Sequence, residues 1–181
     1  GDLEEGLSSE AASLAGTLKL GRLIALYDSN SISIEGSTSV TFTEDVAGRF
    51  TSFGWRVIGP IDGLSVQSVE QALEAARSDE SRPTLIICRT IIGYGSPNKA
   101  NSAASHGEPL GEEEVRLTKR QLGWAYEEPF AVPEEALASM RTAKQRGATW
   151  EREWNERFDA YGKEYAAEAA AMQREMRGEL S

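Results

Sequence analysis

The sequence predicts an α/β fold, a parallel sheet with flanking helices, followed by a helical C-terminal stretch. Three short strand-like runs occupy residues 23–27, 55–58 and 85–88. The first and last are continuously apolar, as strands buried on both faces of a parallel sheet usually are. Helical patterns alternate with these runs, and this order favours right-handed crossovers between parallel strands. The pattern from Pro133 onward is helical.

The first helix is predicted to begin at a cap supplied by Ser8 or Ser9 and to end near Leu20, before Gly21. The strand of residues 23–27 then follows directly. The expected core face of the helix consists of apolar residues that recur at helical spacing, namely Leu7, Ala11, Leu14, Ala15 and Leu18.

Two more helices separate the remaining strands. Thr43 is the expected cap of a helix over residues 44–53, which Gly54 ends. Ser68 and Gln71 form the pattern of a capping box for the next helix. The core stripe of that helix is expected to comprise Val69, Ala72, Leu73 and Ala76.

The C-terminal third is predicted to be mostly helical. A helix over residues 112–122 is expected to stop at Gly123, and Gly147 and Gly162 are expected to break the later helical stretch. The alternating alanines and charges of residues 166–177 are typical of a solvated helix or a linker. An aromatic stripe at helical spacing indicates packing against a core or another domain and comprises Trp150, Trp154, Phe158, Tyr161 and Tyr165.

The acidic composition argues against several classes of partner. Nineteen Lys and Arg residues stand against 29 Asp and Glu residues, a formal net charge of −10, and no basic stretch accumulates, so nucleic acid is not expected. The apolar runs are too short to span a bilayer. Cys88 is the single cysteine, and its place within a strand predicts an inert buried thiol in a reducing compartment, with the cytoplasm as the expected location.

The beginning of the chain suggests a segment of a longer polypeptide. The sequence opens on Gly1 without a methionine, as if it were entered in the middle of a domain. The predicted strands are also few for a sheet that is covered on both faces. We therefore expect further chain upstream.

Polar residues follow the first strand at the edge where ligands of open α/β sheets usually bind. Asp28, Ser29, Asn30 and Ser31 stand at this point. Their side-chain and backbone oxygens suit a hard cation such as Mg²⁺. An Asx turn that simply leaves the strand is the competing interpretation of the same residues.

Two further loops are expected at the same edge of the sheet. The loop of residues 1–6 leads into the N-terminus of the first helix, where N–H groups and the helix dipole attract an anion such as phosphate. The loop of residues 93–107 carries His106, the single histidine, which could hydrogen-bond a phosphate oxygen or a substrate hydroxyl. An ordinary surface or core histidine is the alternative. Together the three loops predict a phosphate site bridged by a metal ion.

Four stretches of the sequence match the text of one enzyme family. They are SLAGTLKLG at 13–21, TIIGYGSPNKA at 90–100, SHG at 105–107 with PLG at 109–111, and QLGW at 121–124. On these stretches the chain resembles transketolase, and the resemblance runs over its whole length. Gly1 matches the last glycine of the Gly-Asp-Gly that opens the thiamine diphosphate signature, and Asn30 matches its closing asparagine. The metal-binding aspartate that would precede Gly1 is absent from the chain.

The resemblance implies a cofactor site built from these loops. By that resemblance Gly1 would donate its N–H to the diphosphate of thiamine diphosphate. Asn30 would ligate Mg²⁺ or Ca²⁺ through its side chain, and Ile32 would do so through its backbone oxygen. His106 would be the catalytic residue of this segment, contacting the diphosphate and orienting the sugar donor.

The resemblance also implies roles for four less distinctive residues. Ile34 and Ile92 would pack against the rings of the cofactor, with ordinary core packing as the alternative. Glu5 and Glu10 resemble acids that are buried at the dimer interface of the family, where they link the paired active sites. Favourable interaction with the helix dipole is the alternative for these two acids.

Three departures from the family pattern limit the resemblance. Ser31 stands where many relatives have glycine, so the turn must avoid or tolerate a positive φ. Ala103 stands where family members often carry a second histidine. The glutamate that activates the aminopyrimidine ring in the family belongs to the next domain and to the partner subunit, outside this chain.

The implied activity is transfer of a two-carbon ketol unit from a ketose phosphate to an aldose phosphate. Residues 1–165 would form the later part of the diphosphate-binding domain, and residues 166–181 the start of a linker to an absent pyrimidine-binding domain. The complete polypeptide would act as a homodimer with its site at the subunit interface, and this segment alone would be inactive. The alternatives are dihydroxyacetone synthase, deoxyxylulose phosphate synthase and a non-catalytic assembly subunit.

Overall fold

A computed structural model describes residues 1–179 and divides the chain into two units, residues 1–127 and the residues from 128 onward. The first unit contains a parallel sheet with helices packed on both faces, and residues 128–179 form two helices. This arrangement confirms the predicted fold class, including the helical C-terminal stretch. The assignment of residues 166–181 to a linker stays a prediction. Residues 1–179 include no helix that is both long and apolar enough to span a bilayer.

The strands of the described residues form a main sheet and a small hairpin. In chain order they are β1 (Ile24–Ser29), β2 (Ile32–Ser33), β3 (Gly36–Ser37), β4 (Arg56–Asp62) and β5 (Thr84–Arg89). The main sheet has the order β1-β5-β4 and is parallel, while β2 and β3 pair as an antiparallel hairpin. Ser29 and Asp62 both align with Arg89. The strands of the main sheet therefore end at one common edge.

The described residues of the first unit form five α-helices, and those of the second unit form two more. In chain order they are α1 (Gly6–Thr17), α2 (Val46–Ser52), α3 (Val66–Arg77), α4 (Ala104–Gly107), α5 (Glu112–Gln121), α6 (Glu134–Glu164) and α7 (Ala166–Met176). Short 3₁₀ turns occur at Asp2–Glu4 and Thr38–Val40.

β5 is the centre of the main sheet and is covered on both faces. Leu85 and Ile87 belong to the core on the side of α1 and α2, and Ile86 and Cys88 belong to the core on the side of α3. Burial raises the pKa of the Cys88 thiol, so the unreactive thiol form is favoured. The other fully buried members of these cores are Ala12, Ala15, Val46, Phe50, Trp55, Ala72 and Ala76.

The predicted core face of α1 is wrong except at Ala15. Leu7, Leu14 and Leu18 are 72%, 59% and 59% exposed. The helix instead buries its small residues Ala12, Ala15 and Gly16. The small face is needed because α1 lies very close to the end of α2. A Cβ on Gly16 would lie 1.7 Å from the Phe53 carbonyl oxygen, and the Trp55 indole N–H donates to the Ala12 carbonyl at 2.8 Å.

The ends of α1 also differ from the prediction. Glu5 occupies the N-cap position, so the predicted caps Ser8 and Ser9 lie inside the helix. At the other end, Lys19 takes a positive φ of 51°. The chain leaves the helix there, two residues before the predicted stop at Gly21.

The caps of the next two helices lie close to the predicted residues but differ from them. Asp45, not Thr43, caps α2, and its carboxylate accepts from the Gly48 N–H at 3.0 Å. Ser65 caps α3 and accepts from the Ser68 N–H at 3.3 Å. The predicted capping box at Ser68 is therefore wrong, because that residue already lies inside the helix.

The later helices follow the prediction except at two glycines. α5 ends where Gly123 takes a positive φ of 67°. Gly147 and Gly162 lie within the continuous helix α6, which ends only at Glu164. A single glycine is tolerated inside a helix at a cost of about 1 kcal/mol, and a long helix absorbs it. Along α6 the Trp154 and Phe158 rings stack with centroids 4.9 Å apart.

The contact of α1 with Phe53 predicts a marked effect of a single methyl group. We expect Gly16→Ala to lower the free energy of unfolding by about 1–3 kcal/mol, the usual cost of overpacking. Gly6→Ala is the matched control on the same helix, since nothing lies within 4 Å of its Cβ position. Urea unfolding of the complete polypeptide measures both variants. Equal midpoints for the two would contradict the close contact.

Candidate functional site

A pocket of about 190 Å³ lies at the end of β1, and three separate segments of the chain line it. The lining includes the predicted residues Gly1, Asn30, Ile32 and His106. Other parts of the wall come from Asp2, Leu3, Glu4, Tyr27, Asp28, Ser31, Thr38 and Phe42. The three predicted loops thus meet at a single edge of the sheet.

Asn30 forms an Asx turn as it leaves the strand. Its side-chain oxygen accepts from the Ile32 N–H at 2.9 Å, and its amide nitrogen donates to the Asp28 carboxylate at 3.4 Å. These two bonds fix the orientation of the amide. An amide oxygen can accept two hydrogen bonds or ligands, so Asn30 keeps one site for a cation while the turn is formed.

Asp28 connects the ends of β1 and β5. Its carboxylate accepts a short hydrogen bond from the hydroxyl of Thr90, which follows β5 directly. Asp28 was among the candidate cation ligands predicted from the sequence, whereas no role was predicted for Thr90. The signal for this contact is the parallel register, which pairs Ser29 with Arg89 and so places Thr90 beside the start of the Asn30 loop.

Ser31 tolerates the positive φ that glycine usually takes at such a position. Its φ is 63°, in the left-handed region that costs a side chain about 1–2 kcal/mol. The Ser31 carbonyl accepts from the Thr38 N–H at 3.1 Å. This bond closes the β2–β3 hairpin onto the turn and holds the unusual conformation.

The N-terminal wall of the pocket is held by Arg49. Its guanidinium donates to the Leu3 carbonyl at 3.3 Å and to the Ser9 hydroxyl at 3.2 Å, and it pairs with Glu44 at 2.9 Å. The side chain is only 19% exposed. Arg49 therefore connects the 3₁₀ turn Asp2–Glu4, helix α1 and helix α2. Sequence reasoning missed it because these contacts join residues about 40 positions apart.

His106 lies exposed in the short helix α4, where its N–H donates to the Ala103 carbonyl at 2.9 Å. The next residue, Gly107, faces the neighbouring loop. A Cβ on Gly107 would lie 3.8 Å from the side chain of Ile34. The loop that carries His106 and the loop that follows Asn30 therefore lie close to each other beside the pocket.

A buried carboxylate lies behind the His106 loop. Glu114 of α5 is 8% exposed. The Asn98 side-chain amide donates to Glu114 at 2.9 Å, the Ser96 hydroxyl makes a short hydrogen bond to it, and the Asn98 N–H donates at 2.9 Å. Together these donors hold the pKa of Glu114 below its ordinary value. The Asn98 side chain has the largest effect, followed by the Ser96 hydroxyl and then the Asn98 N–H. Sequence reasoning did not single out Glu114.

The His106 loop is closed by its own hydrogen bonds. The Ser96 hydroxyl accepts from the Lys99 N–H at 3.0 Å, and the Lys99 carbonyl accepts from the hydroxyls of Ser102 and Ser105, each at 2.6 Å. The loop is long, but it is ordered by polar contacts rather than by an apolar core. Its serines therefore have a structural purpose that composition alone did not reveal.

Four predicted residues lie outside the lining of this pocket. Ile92 is half-buried, and its carbonyl accepts from the Asn101 N–H at 2.8 Å. Glu5 and Glu10 are exposed at the start of α1. Ile34 is 65% exposed and lies next to Gly107 rather than in the lining.

The available oxygens suit the diphosphate end of a cofactor with its cation. Within residues 1–179, no group of three or more His, Cys, Asp or Glu side chains is placed to hold a metal ion. The spare acceptor site of the Asn30 amide oxygen and the backbone carbonyl of Ile32 are nevertheless the kind of donors that hard cations take. Gly1 is exposed and lies in the lining of the same pocket.

The comparisons with known proteins agree with one another. A family model described as the thiamine diphosphate binding domain of transketolase matches residues 1–181. Transketolase 1 of Escherichia coli (strain K12) is 52% identical over 180 residues, which cover 99% of this chain and 27% of that protein. Transketolase of Geobacillus stearothermophilus is 50% identical over 181 residues, with 99% and 27% coverage. This chain therefore spans 27% of the length of these relatives.

Solved structures show the same similarity. A mutant transketolase from Pichia stipitis, in complex with xylulose 5-phosphate, has a TM-score of 0.89 and 40% identity over 99% of this chain and 26% of that chain. Transketolase from Leishmania mexicana has a TM-score of 0.90 and 37% identity, over 98% of this chain and 27% of that chain. The fold is thus shared over nearly the whole described length.

The positive φ of Ser31 predicts which substitutions the turn accepts. We expect Ser31→Val to lower the free energy of unfolding by about 1 kcal/mol or more, because a β-branched side chain is strained in the left-handed region. Ser29→Val is the matched control, since Ser29 ends β1 and extended backbone suits a β-branched residue. Thermal unfolding measures both variants. A smaller loss for Ser31→Val than for Ser29→Val would contradict the assignment.

The lowered pKa of Glu114 predicts a pH-dependent contribution to stability. Because the folded-state pKa is below the ordinary value, the ionised carboxylate stabilises the fold above about pH 4.5. This contribution is lost as the pH falls through the folded-state value. Glu114→Gln should therefore be less stable than the parent at neutral pH, and the difference should shrink as the pH falls below about 4.5. Denaturant unfolding across this range measures it, and a constant difference would contradict the shift.

Proposed function

Because the chain belongs to the transketolase family, with all its residues matched by the thiamine diphosphate-binding domain, we propose that it is part of an enzyme that transfers two-carbon ketol units. The donor is a ketose phosphate and the acceptor is an aldose phosphate. The 52% identity to a transketolase over 180 residues supports this activity. The enzyme acts in the cytoplasm, in the pentose phosphate pathway.

The observation that carries the proposal is the convergence of three loops on one pocket. Gly1, Asn30 and His106 come from separate parts of the chain, and all three line it. At about 190 Å³ the pocket is smaller than the roughly 300–1,000 Å³ of most small-molecule sites. It receives the diphosphate end of the cofactor, and the remainder of the site comes from outside this chain.

The chain binds the cofactor through its cation and its diphosphate. The Asn30 side-chain oxygen and the Ile32 carbonyl ligate Mg²⁺ or Ca²⁺, and the Gly1 N–H donates to the diphosphate. The cation is needed because a net charge of −10 repels a polyanion that is not neutralised. Bound thiamine diphosphate supplies the carbon nucleophile for breaking and forming the carbon–carbon bond.

His106 orients the sugar donor and contacts the diphosphate. Its exposure in α4, at the lining of the pocket, supports this role. Ile34 and Ile92 pack against the cofactor rings, and the 65% exposure of Ile34 leaves apolar surface for that contact. Position 103 holds alanine, so no second histidine is available at that place in the loop.

The complete enzyme is a homodimer, and α1 contributes to its interface. Glu10 lies three residues after Leu7 and four before Leu14, so these residues share one side of the helix. Leu7 and Leu14 are exposed in this chain, and an exposed apolar stripe on a helix usually marks an interaction surface. Glu5 and Glu10 are then buried at the subunit interface, beside the paired active sites.

Cofactor binding tests the proposed cation ligand. We expect Asn30→Ala to raise the Kd for thiamine diphosphate in the presence of Mg²⁺ by about tenfold or more, the usual effect of weakening a metal site. Asn155→Ala is the control, because Asn155 is an exposed residue of α6. Calorimetry on the complete polypeptide measures both variants. If the parent gave no heat with cofactor and Mg²⁺, the proposed binding function would be wrong.

Turnover provides the second readout. The complete polypeptide should transfer a ketol unit from xylulose 5-phosphate to an aldose phosphate, whereas residues 1–181 alone should not. His106→Ala should raise the donor KM or lower kcat and should change cofactor affinity less than Asn30→Ala does. Kinetics equal to those of the parent would remove His106 from the site.

A further inference from the structure

We propose that Glu114 is a positioning residue for His106, acting through the loop of residues 96–105; this rests on the function proposed above. Glu114 lies on α5 and belongs to none of the segments that line the pocket. Its carboxylate is nevertheless the buried end of a hydrogen-bond path to the residue that precedes His106. The proposed role is to set where the loop holds His106 in the pocket.

The hydrogen-bond donors that stabilise the buried charge of Glu114 come from the loop. Glu114 is 8% exposed, and a buried carboxylate is tolerated only when donors replace the water that it has lost. Ser96 and Asn98 supply three donors to this carboxylate, two of them at 2.9 Å. The burial of Glu114 therefore depends on the ordered loop, because the loop supplies the hydrogen-bond donors that the buried carboxylate needs.

The helix dipole does not account for this geometry. Glu112, Glu113 and Glu114 all occupy the first turn of α5, where any acid interacts favourably with the dipole. Glu113 is exposed and pairs with Arg116 of its own helix. Glu114 points to the loop instead, so its contacts have a purpose beyond the stability of α5.

The path from Glu114 to His106 passes through three loop residues. The Ser96 hydroxyl, which donates to Glu114, accepts from the Lys99 N–H at 3.0 Å. The Lys99 carbonyl accepts from the Ser105 hydroxyl at 2.6 Å. Ser105 directly precedes His106, so a shift at Ser96 is transmitted to the backbone of His106.

The start of the loop also meets its end. Gly93 has a φ of 66°, and a Cβ there would lie 2.5 Å from the Ser105 hydroxyl oxygen. Ser105 is therefore held between Gly93, which precedes the 96–105 loop, and the Lys99 carbonyl. Such a closed arrangement transmits a displacement rather than absorbing it.

A carboxylate suits this position better than a neutral amide. Ser96, the Asn98 N–H and the Asn98 side chain all act as donors toward it. Glutamine has nearly the same shape but presents a donor at one of its two terminal atoms. Glu114→Gln thus weakens the contacts without leaving a cavity, which makes it the substitution of choice.

Amide hydrogen exchange tests the ordering of the loop without reference to activity. In the complete polypeptide, Glu114→Gln should accelerate exchange of the 96–106 segment by about tenfold or more, since a charged hydrogen-bond acceptor is lost. Glu113→Gln is the matched control on the same turn and should exchange like the parent. Ser105→Ala is a second variant on the path and should accelerate exchange of the same segment. Exchange at the parent rate in Glu114→Gln would overturn the proposal.

Steady-state kinetics then separates positioning from general stability. At a temperature where both proteins are fully folded, Glu114→Gln should impair donor kcat/KM by about tenfold and leave the acceptor KM unchanged. Combined with His106→Ala, it should cause less than about a twofold further loss, because the two changes remove one function. Losses that multiply in the double variant would overturn the proposal.

The failure of the proposed function would be recognised separately. A parent enzyme without ketol transfer would contradict that function, whereas the exchange experiment would still decide whether Glu114 orders the loop. Accelerated exchange with unchanged donor kinetics in an active enzyme would contradict the positioning role alone.

Discussion

The placement of the site depends on the burial of β5. This strand is covered on both faces and paired on both edges, so its register with β1 is fixed. The register places Thr90 beside Asp28, and the hydrogen bond between them joins the two loops that leave the sheet. The position of Asn30 thus follows from the packing of apolar side chains several residues away, and the loops themselves need only short polar contacts to complete the pocket.

The sequence predicted the fold class, the family and the parallel strands, and all of these are confirmed. It did not predict which face of α1 is buried, because both leucines and small residues recur there at helical spacing. The choice depends on how closely α1 approaches Phe53, and this distance is a tertiary property. The predicted helix caps were wrong for a related reason. Several adjacent polar residues can cap a helix, and the end of the preceding loop decides which one does.

The residues of the candidate site were also predicted only in part from the sequence. Asn30 and His106 were predicted from their places in loops beyond strand ends, and Gly1 and Ile32 from the resemblance to transketolase. The structure brings all four to one pocket. Their individual roles stay predictions. Arg49 and Glu114 were missed because they act on backbone and loop groups far away along the chain. Nothing in the run Glu112–Glu114 distinguishes the third acid from the other two, and only the packing of α5 against the loop does so.

The Asx turn at Asn30 and its proposed cation role are complementary rather than competing. The sequence left them as alternatives because the same residue type favours both. In the structure the Ile32 N–H takes one acceptor site of the amide oxygen, and Asp28 accepts from the amide nitrogen, so the amide cannot turn freely. A ligand that is held in place before the metal arrives loses less entropy on binding. The turn therefore favours the site, and the strained φ of Ser31 is the conformational cost of holding Asn30 in this orientation.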